Sequence, residues 1–355
     1  MYELSSKERI GRTLAGQLAD RIPIIDQAWD ATILRWQSEG MPVGVDVNKF
    51  LGIDSVVQYF PDYTPRLKTK VVEENEEFII ETTAWGVTLK NWKKKASVPA
   101  FLGAEITTYQ KWLCIKDRLK ADKSRIDWRF IKENYARWQK EGCWIEFFFW
   151  FGFDACHSWI VGTEQFLMAM ALEPEWVHDM FSTLVNLNIE MAELFLEEGY
   201  DFDAIIWCDD MGYKQNQFFS LATYREILKP YQKKAADWAK NKGKKVRLHS
   251  CGDIKPFLPE IIEIGVDSIH PIEVKAGMDP QTIKKQFGNQ ITLHGGIDSL
   301  LFDNFQALKN NVEYLLPILK EGGRYMFSSD HSIPSSISLA EYRDIIDIVK
   351  KVGKY

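Results

Sequence analysis

From about residue 200 onward, short apolar runs alternate with longer stretches of helical period, which predicts repeated βα units around a parallel sheet. AIIWC (204–208), VRLHS (246–250), VDSIH (266–270), ITLHG (291–295) and RYMFSS (324–329) are read as strands, each gap being long enough for a helix. WIEFFFWF (144–151) extends the series towards the amino terminus, and RIPIID (21–26) begins it. Two helices stand out. Residues 173–199 close on Gly; residues 220–243 open on Ser and close on Lys-Gly, and Pro230 is expected to kink them.

Residues 27–143 follow a different pattern. RLKTKVV, FIIETTAW and GVTLKNW alternate polar and β-branched residues about a charged EENEE turn, which predicts a small antiparallel meander. TTYQKWLCIKDRL and DWRFIKENYARWQKEG after it have helical period. The glycine fingerprint of a dinucleotide-binding open sheet is missing, so the α/β chain is expected to close as a (β/α)8 TIM barrel, which takes ~250 residues. The surplus, 27–143, is assigned as an N-terminal elaboration of one domain spanning 1–355.

Composition narrows the function classes. The chain is 46% hydrophobic with a formal charge of -6, so no electrostatic footprint for nucleic acid is present. The lysine clusters at 90–95 and 240–245 read as solvated surface. No run approaches the ~18 apolar residues of a membrane span, and MYELSSKERI lacks a secretory pattern; a cytoplasmic protein without a membrane partner is expected. Five widely spaced cysteines predict no disulfides.

In a barrel, functional side chains come from the carboxyl ends of the strands. Those ends carry Asp209 and Asp210, His249 and Cys251, His270 and Glu273, His294, and Asp330 with His331. Ionisable groups are costly inside a barrel unless paired, so their gathering predicts a polar cleft. Asp209, Asp210, His249, His294, Asp330 and His331 are the catalytic candidates. Adjacent carboxylates point oppositely on an extended chain, so one of Asp209 and Asp210 is expected to face the cleft while the other caps a loop. His249 and Cys251, two positions apart, can face the same way and offer an imidazole and a thiolate to Zn2+. Alone, the pair is a weak motif, and a buried inert cysteine beside a hydrogen-bonded histidine is its usual meaning. His249 could serve as metal ligand or general acid through the same ring nitrogen. Trp29, Trp36, Trp207 and Glu273 are the candidate substrate contacts, because aromatic faces favour flat ligands.

The succession DRIPI (20–24), WCDDMGY (207–213), YREILKPYQKK (224–234), RLHSCGDIKPFLPEIIEIGVDSIHPIE (247–273), ITLHGGID (291–298) and FSSDHSIP (327–334) resembles the uroporphyrinogen decarboxylase superfamily. That superfamily includes the decarboxylase and the corrinoid-dependent methyltransferases. The likeness is strongest from 200 onward and weak through 27–143, and it implies a barrel with its site at the carboxyl rim. The decarboxylases carry an Arg-rich segment after the first strand; this chain has IIDQAWDATILRWQSEG (24–40), with one Arg and no cationic clamp for a polycarboxylate. The His-x-Cys element is similar to that of methylcobamide:thiol methyltransferases, whose zinc is held by that His, that Cys and a later Cys. Here the later place reads Ser328-Ser329-Asp330-His331, leaving Asp330, His331, Glu273 or His294 to complete a harder site suited to oxygen substrates.

The resemblance thus implies a corrinoid-dependent methyltransferase. It would move a methyl group from a small O-methylated compound, an aromatic methyl ether, to the cobalt of a partner corrinoid protein, with zinc as a candidate second cofactor. Two rivals stand beside it: a decarboxylase using Asp209 or Asp210 with His331, and a non-catalytic barrel that binds or handles a corrinoid.

Overall fold

A computed structural model describes residues 3–93 and 98–355; Lys94 and Lys95 of the first lysine cluster lie outside the described residues. Strand β1 (Val56–Tyr59) opens a parallel sheet. An antiparallel meander follows: β2 (Lys70–Glu74), β3 (Phe78–Thr82), β4 (Val87–Trp92) and β5 (Ala100–Ala104). The parallel sheet resumes with β6 (Trp144–Phe149) and β7 (Ala204–Cys208). A small hairpin, β8 (Gly212–Tyr213) and β9 (Asn216–Gln217), leads to β10 (Lys245–His249), β11 (Ser268–His270), β12 (Thr292–His294) and β13 (Tyr325–Met326). The parallel order is β1-β6-β7-β10-β11-β12-β13.

Among the described residues, seven strands form this ladder, against the eight expected. The segment read as the first strand, 21–26, is held by single bridges instead. Ile25 N donates to Phe327 O (2.9 Å) and Phe327 N to Pro23 O (2.8 Å), while Asp54 N, just ahead of β1, donates to Ile24 O (3.0 Å). The segment therefore lies between β13 and the entry to β1. Pro23 has no N–H for a ladder, which limits regular pairing there. The fold is α/β and barrel-like. Strand β1 falls inside the stretch assigned to the elaboration, which is therefore not one continuous insertion. Its VVQY is short, and Gln58 interrupts the apolar pattern because it donates to Glu146 Oε2 (2.9 Å).

Side-chain pairing shows how far the sheet curls. Arg247 on β10 ion-pairs with Glu146 on β6 across the intervening β7, and reaches His294 on β12 across β11 (2.8 Å). Such contacts require a concave face. That face is polar, carrying Gln58, Glu146, Arg247, His249, His270 and His294 in alternation with outward residues. The outward set, Phe147, Phe149, Ile205, Trp207, Val246, Leu248, Ile269 and Leu293, is buried in the main core. Helix Ser6–Leu14 closes the amino end, where Ile10 and Leu14 pack with Trp144, Ala204 and Met326.

The helix expected over 173–199 spans Pro174–Glu197. The one expected over 220–243 is built of Leu221–Thr223, a π-helical turn Tyr224–Leu228, and Lys229–Asn241. The wide turn sits immediately before Pro230, whose missing N–H cannot continue the ordinary ladder. The charged turn of the meander is present, with Asn75 N donating to Phe78 O (3.0 Å). All five cysteines are free. Among the described residues no helix is long and apolar enough to cross a membrane. Lys240, Lys242 and Lys244 form ion pairs with Asp267, Glu193 and Asp201.

Candidate active site

The inward residues at the carboxyl ends of β7 and β10 build one corner. Cα partners Cys208 and His249 lie side by side, and the loops beyond them bring Asp210 and Cys251 together. The ligand atoms of Asp210, His249 and Cys251 all lie within 4.8 Å of one another. His249 Nε2 is 3.4 Å from Cys251 Sγ and 3.6 Å from Asp210 Oδ1, and Cys251 N donates to Asp210 Oδ1 (2.7 Å). One imidazole, one thiol and one carboxylate are a fitting donor set for Zn2+, three of the four ligands that the ion usually takes.

Burial shapes the charges here. It raises the Asp210 carboxyl, against the pull of His249, and holds the Cys251 thiol well above its ordinary value, with Asp210 and Glu273 adding to the effect. A divalent cation would reverse both by favouring thiolate and carboxylate.

Of the adjacent pair, Asp210 faces His249 and Cys251, and Asp209 turns away. Asp209 accepts from Gln232 Nε2 (2.7 Å) and Asp154 N (2.9 Å), and burial pushes its carboxyl up to about 8 despite those donors. Strand parity alone leaves Asp209 and Asp210 equivalent.

The residues proposed to complete a metal site serve elsewhere. Asp330 braces two loops, accepting from Val274 N (2.9 Å) and Ser299 N (2.8 Å). Glu273 Oε2 takes the Gly252 amide (2.6 Å), which fixes the loop bearing Cys251. His294 is buried between Arg247 and Ile25 O (2.9 Å). His331 is exposed at the rim beside Trp29, ring centroids 5.6 Å apart, and desolvation and Lys275 lower its affinity for a proton. The third ligand atom within 4.8 Å of His249 and Cys251 belongs to Asp210.

The histidines do converge. His249 and His270 touch through their Nδ1 atoms (2.7 Å), and the His270 and His294 rings lie 4.4 Å apart. Burial drives His270 and His294 well below the ordinary imidazole value, followed by His294 and Arg247 as the next largest influence on each, respectively. The Gly295 loop turns back on its neighbour: a Cβ there, at φ 110°, would stand 2.9 Å from the Pro271 backbone. That close approach is to protein.

The candidate substrate contacts divide. Trp29 lines a cleft of about 510 Å3 with Asp26, Ile33, Val47 and Ile333. Trp36 is fully buried, stacked on Tyr342 at 5.2 Å, with Nε1 donating to Ile337 O (3.2 Å). Trp207 is fully buried on the outer face of β7, against Phe151. Trp207 is therefore a core residue turned outward by strand parity, whereas Trp36 borders the same cleft as Trp29 but is covered by helix packing.

Two residues escaped the sequence reading. Asp154 and His157 lie on helix Phe153–Trp159, directly beyond β6, with His157 Nε2 3.5 Å from Asp154 Oδ1. The Asp210 carboxyl feels both. The rim rule that selected the other strand ends would have found them, had the apolar run FFFWF not hidden where β6 stops.

A family model described as uroporphyrinogen decarboxylase (URO-D) matches residues 156–352, more than half of the chain. The chain belongs to the URO-D family. The match takes in β7 to β13 and leaves out the meander, where the sequence likeness was weakest. Among solved structures, a methyltransferase from Methanosarcina mazei is similar in fold, with a TM-score of 0.68 at 15% identity, covering 98% of this chain and 99% of that one. No curated protein sequence matches the chain.

Proposed function

We propose that this URO-D family chain is a corrinoid-dependent methyltransferase that takes a methyl group from a small O-methylated compound, an aromatic methyl ether, and delivers it to the cobalt of a partner corrinoid protein. The observation that carries the reading is the Asp210, His249 and Cys251 corner at the carboxyl rim, a ligand set for zinc. The similarity in fold to a methyltransferase is consistent with it.

In demethylation the methyl–oxygen bond breaks and the oxygen departs with the electron pair, so it must be stabilised as an anion or take a proton. Asp210, His249 and Cys251 would hold a zinc ion, which would supply Lewis-acid stabilisation of that oxygen. The chain's own residues do the rest. Asp210 anchors the Cys251 amide, Glu273 holds the Gly252 amide, and together they fix the thiol opposite His249. Trp29 beside His331 offers a flat face to an aromatic ring.

The tetrapyrrole decarboxylase alternative loses ground at Arg35. This single arginine of residues 24–40, on helix Asp30–Ser38, donates Nη1 to Ser335 O (2.7 Å) and Ser336 O (2.6 Å) and pairs with Glu39 through Nε (2.7 Å). It is committed within the fold and does not serve as a clamp for substrate carboxylates.

The test is methyl transfer from a phenyl methyl ether to cob(I)alamin, with zinc stoichiometry measured on the same preparation. Wild type is expected to bind one zinc and transfer methyl, while Cys251→Ser and His249→Ala lose both. Carbon dioxide release from a carboxylic acid, without methyl transfer, would replace this reading with a decarboxylase.

A further inference from the structure

His249 and His270 are Cα partners on β10 and β11, and their Nδ1 atoms lie 2.7 Å apart. A hydrogen bond between two imidazole nitrogens contains one proton, so one ring donates and the other accepts. The far side of this pair is settled by Arg247, which has only donors: its Nη2 donates to His294 Nδ1 (2.8 Å), and His294 Nε2–H then donates to Ile25 O (2.9 Å). His270 packs on that neutral ring at 4.4 Å, partly buried and with the Arg247 charge nearby, so it too stays neutral. On the near side, His249 Nε2 faces Asp210 Oδ1 and Cys251 Sγ.

Two proton arrangements satisfy these contacts. In one, His249 carries its proton on Nε2, towards Asp210, and its Nδ1 accepts from His270 Nδ1–H. In the other, His249 Nε2 presents a lone pair to a cation, its proton sits on Nδ1, and His270 accepts while carrying its own proton on Nε2. We propose that His270 is the positioning residue that sets the proton on His249, and that the two rings exchange tautomers together when a cation occupies the Asp210–His249–Cys251 corner. Each ring keeps one proton throughout. This inference rests on the metal reading above and deepens it: His249 becomes a ligand because its neighbour can accept.

Nitrogen-15 histidine spectra of wild type, recorded before and after saturation with zinc, report each ring's tautomer directly. The expected result is His249 changing from Nε2–H to Nδ1–H while His270 changes in the opposite sense. His270→Phe keeps a flat ring but removes the acceptor, and zinc affinity is expected to fall by roughly 10- to 100-fold. His270→Gln restores an acceptor oxygen and is expected to recover most of that loss, which a purely space-filling role for His270 would not produce. Unchanged tautomers in a protein that does bind zinc, or His270→Phe binding as tightly as wild type, would overturn the inference alone. A wild-type protein that takes up no zinc or cobalt would overturn the metal reading, and this inference with it.

Discussion

Asp209 and Asp210 are neighbours in the chain, and their carboxylates serve opposite sides of the rim. Asp210 faces His249 and the Cys251 amide, while Asp209 is enclosed by Gln232 and the amino end of helix Phe153–Trp159. Gln232 is itself fixed, because its Oε1 accepts from Tyr224 OH (2.7 Å) in the π-helical turn before Pro230. The irregular helix thus holds Asp209 away from the His249 and Cys251 corner.

Asp209 should make stability depend on pH. Its folded-state value of about 8 lies above the ordinary 3.8, so the folded chain holds a proton that the unfolded chain releases. The stabilisation is complete below about pH 4, is lost as pH rises, and is gone above about pH 8, at up to about 1.4 kcal/mol per pH unit. Asp26, raised by burial to about 6, contributes a similar fall over a lower range. In Asp209→Asn the Asp209 share of the slope should vanish while that of Asp26 remains. Urea unfolding of both proteins at several pH values in this window measures the difference, whatever offset the amide introduces.

Gly152 should resist substitution. It adopts φ 97°, and a Cβ there would stand 2.3 Å from Asp209 Oδ2. Gly152→Ala therefore strains the backbone and pushes on a carboxyl that Gln232 and Asp154 N hold in place. A loss of about 2 kcal/mol or more is expected by denaturant unfolding. The double variant with Asp209→Ala should recover the contact part and leave the backbone part.

The Glu146–Arg247 pair sits on the polar concave face with almost no exposure. Arg247→Met leaves a buried carboxylate with only Gln58 and Trp144 as donors, and should cost about 3–5 kcal/mol. Pairing it with Glu146→Leu should return much of that loss, since an apolar pair needs no compensating charge. A residual deficit is expected, because His294 also loses its Arg247 donor. A double-mutant cycle by chemical denaturation measures both quantities.

The sequence made much of this architecture legible where burial imposes a simple period. The outward faces of β6, β7, β10, β11, β12 and β13 are apolar because helices cover them, and their carboxyl ends were found within a few residues. Strand β1 was hidden because its inward Gln58 answers a residue 88 positions later. The choice of Asp210 over Asp209 was hidden for the same kind of reason. Strand parity says that one carboxylate faces in, whereas Gln232 and Asp154, distant in sequence, say which. The link between His249 and His270 needed the register of two strands that a run of apolar letters does not specify.

Tryptophans carry the same ambiguity, and they can be separated by experiment. Trp36 is fully buried on Tyr342, so Trp36→Ala opens a cavity in the core and should cost about 3–5 kcal/mol. Trp29 is only partly covered, lines the 510 Å3 cleft and stands against His331, so its removal exposes little core. Trp29→Ala should therefore change the melting temperature much less than Trp36→Ala, yet raise KM for an aromatic methyl donor roughly tenfold through loss of a stacking face worth about 0.5–1.5 kcal/mol beyond its area. Trp29→Phe should recover part of the affinity. Equal losses of stability in the Trp29 and Trp36 variants, with KM unchanged in Trp29→Ala, would make Trp29 another core residue and move the substrate's aromatic contact elsewhere on the rim.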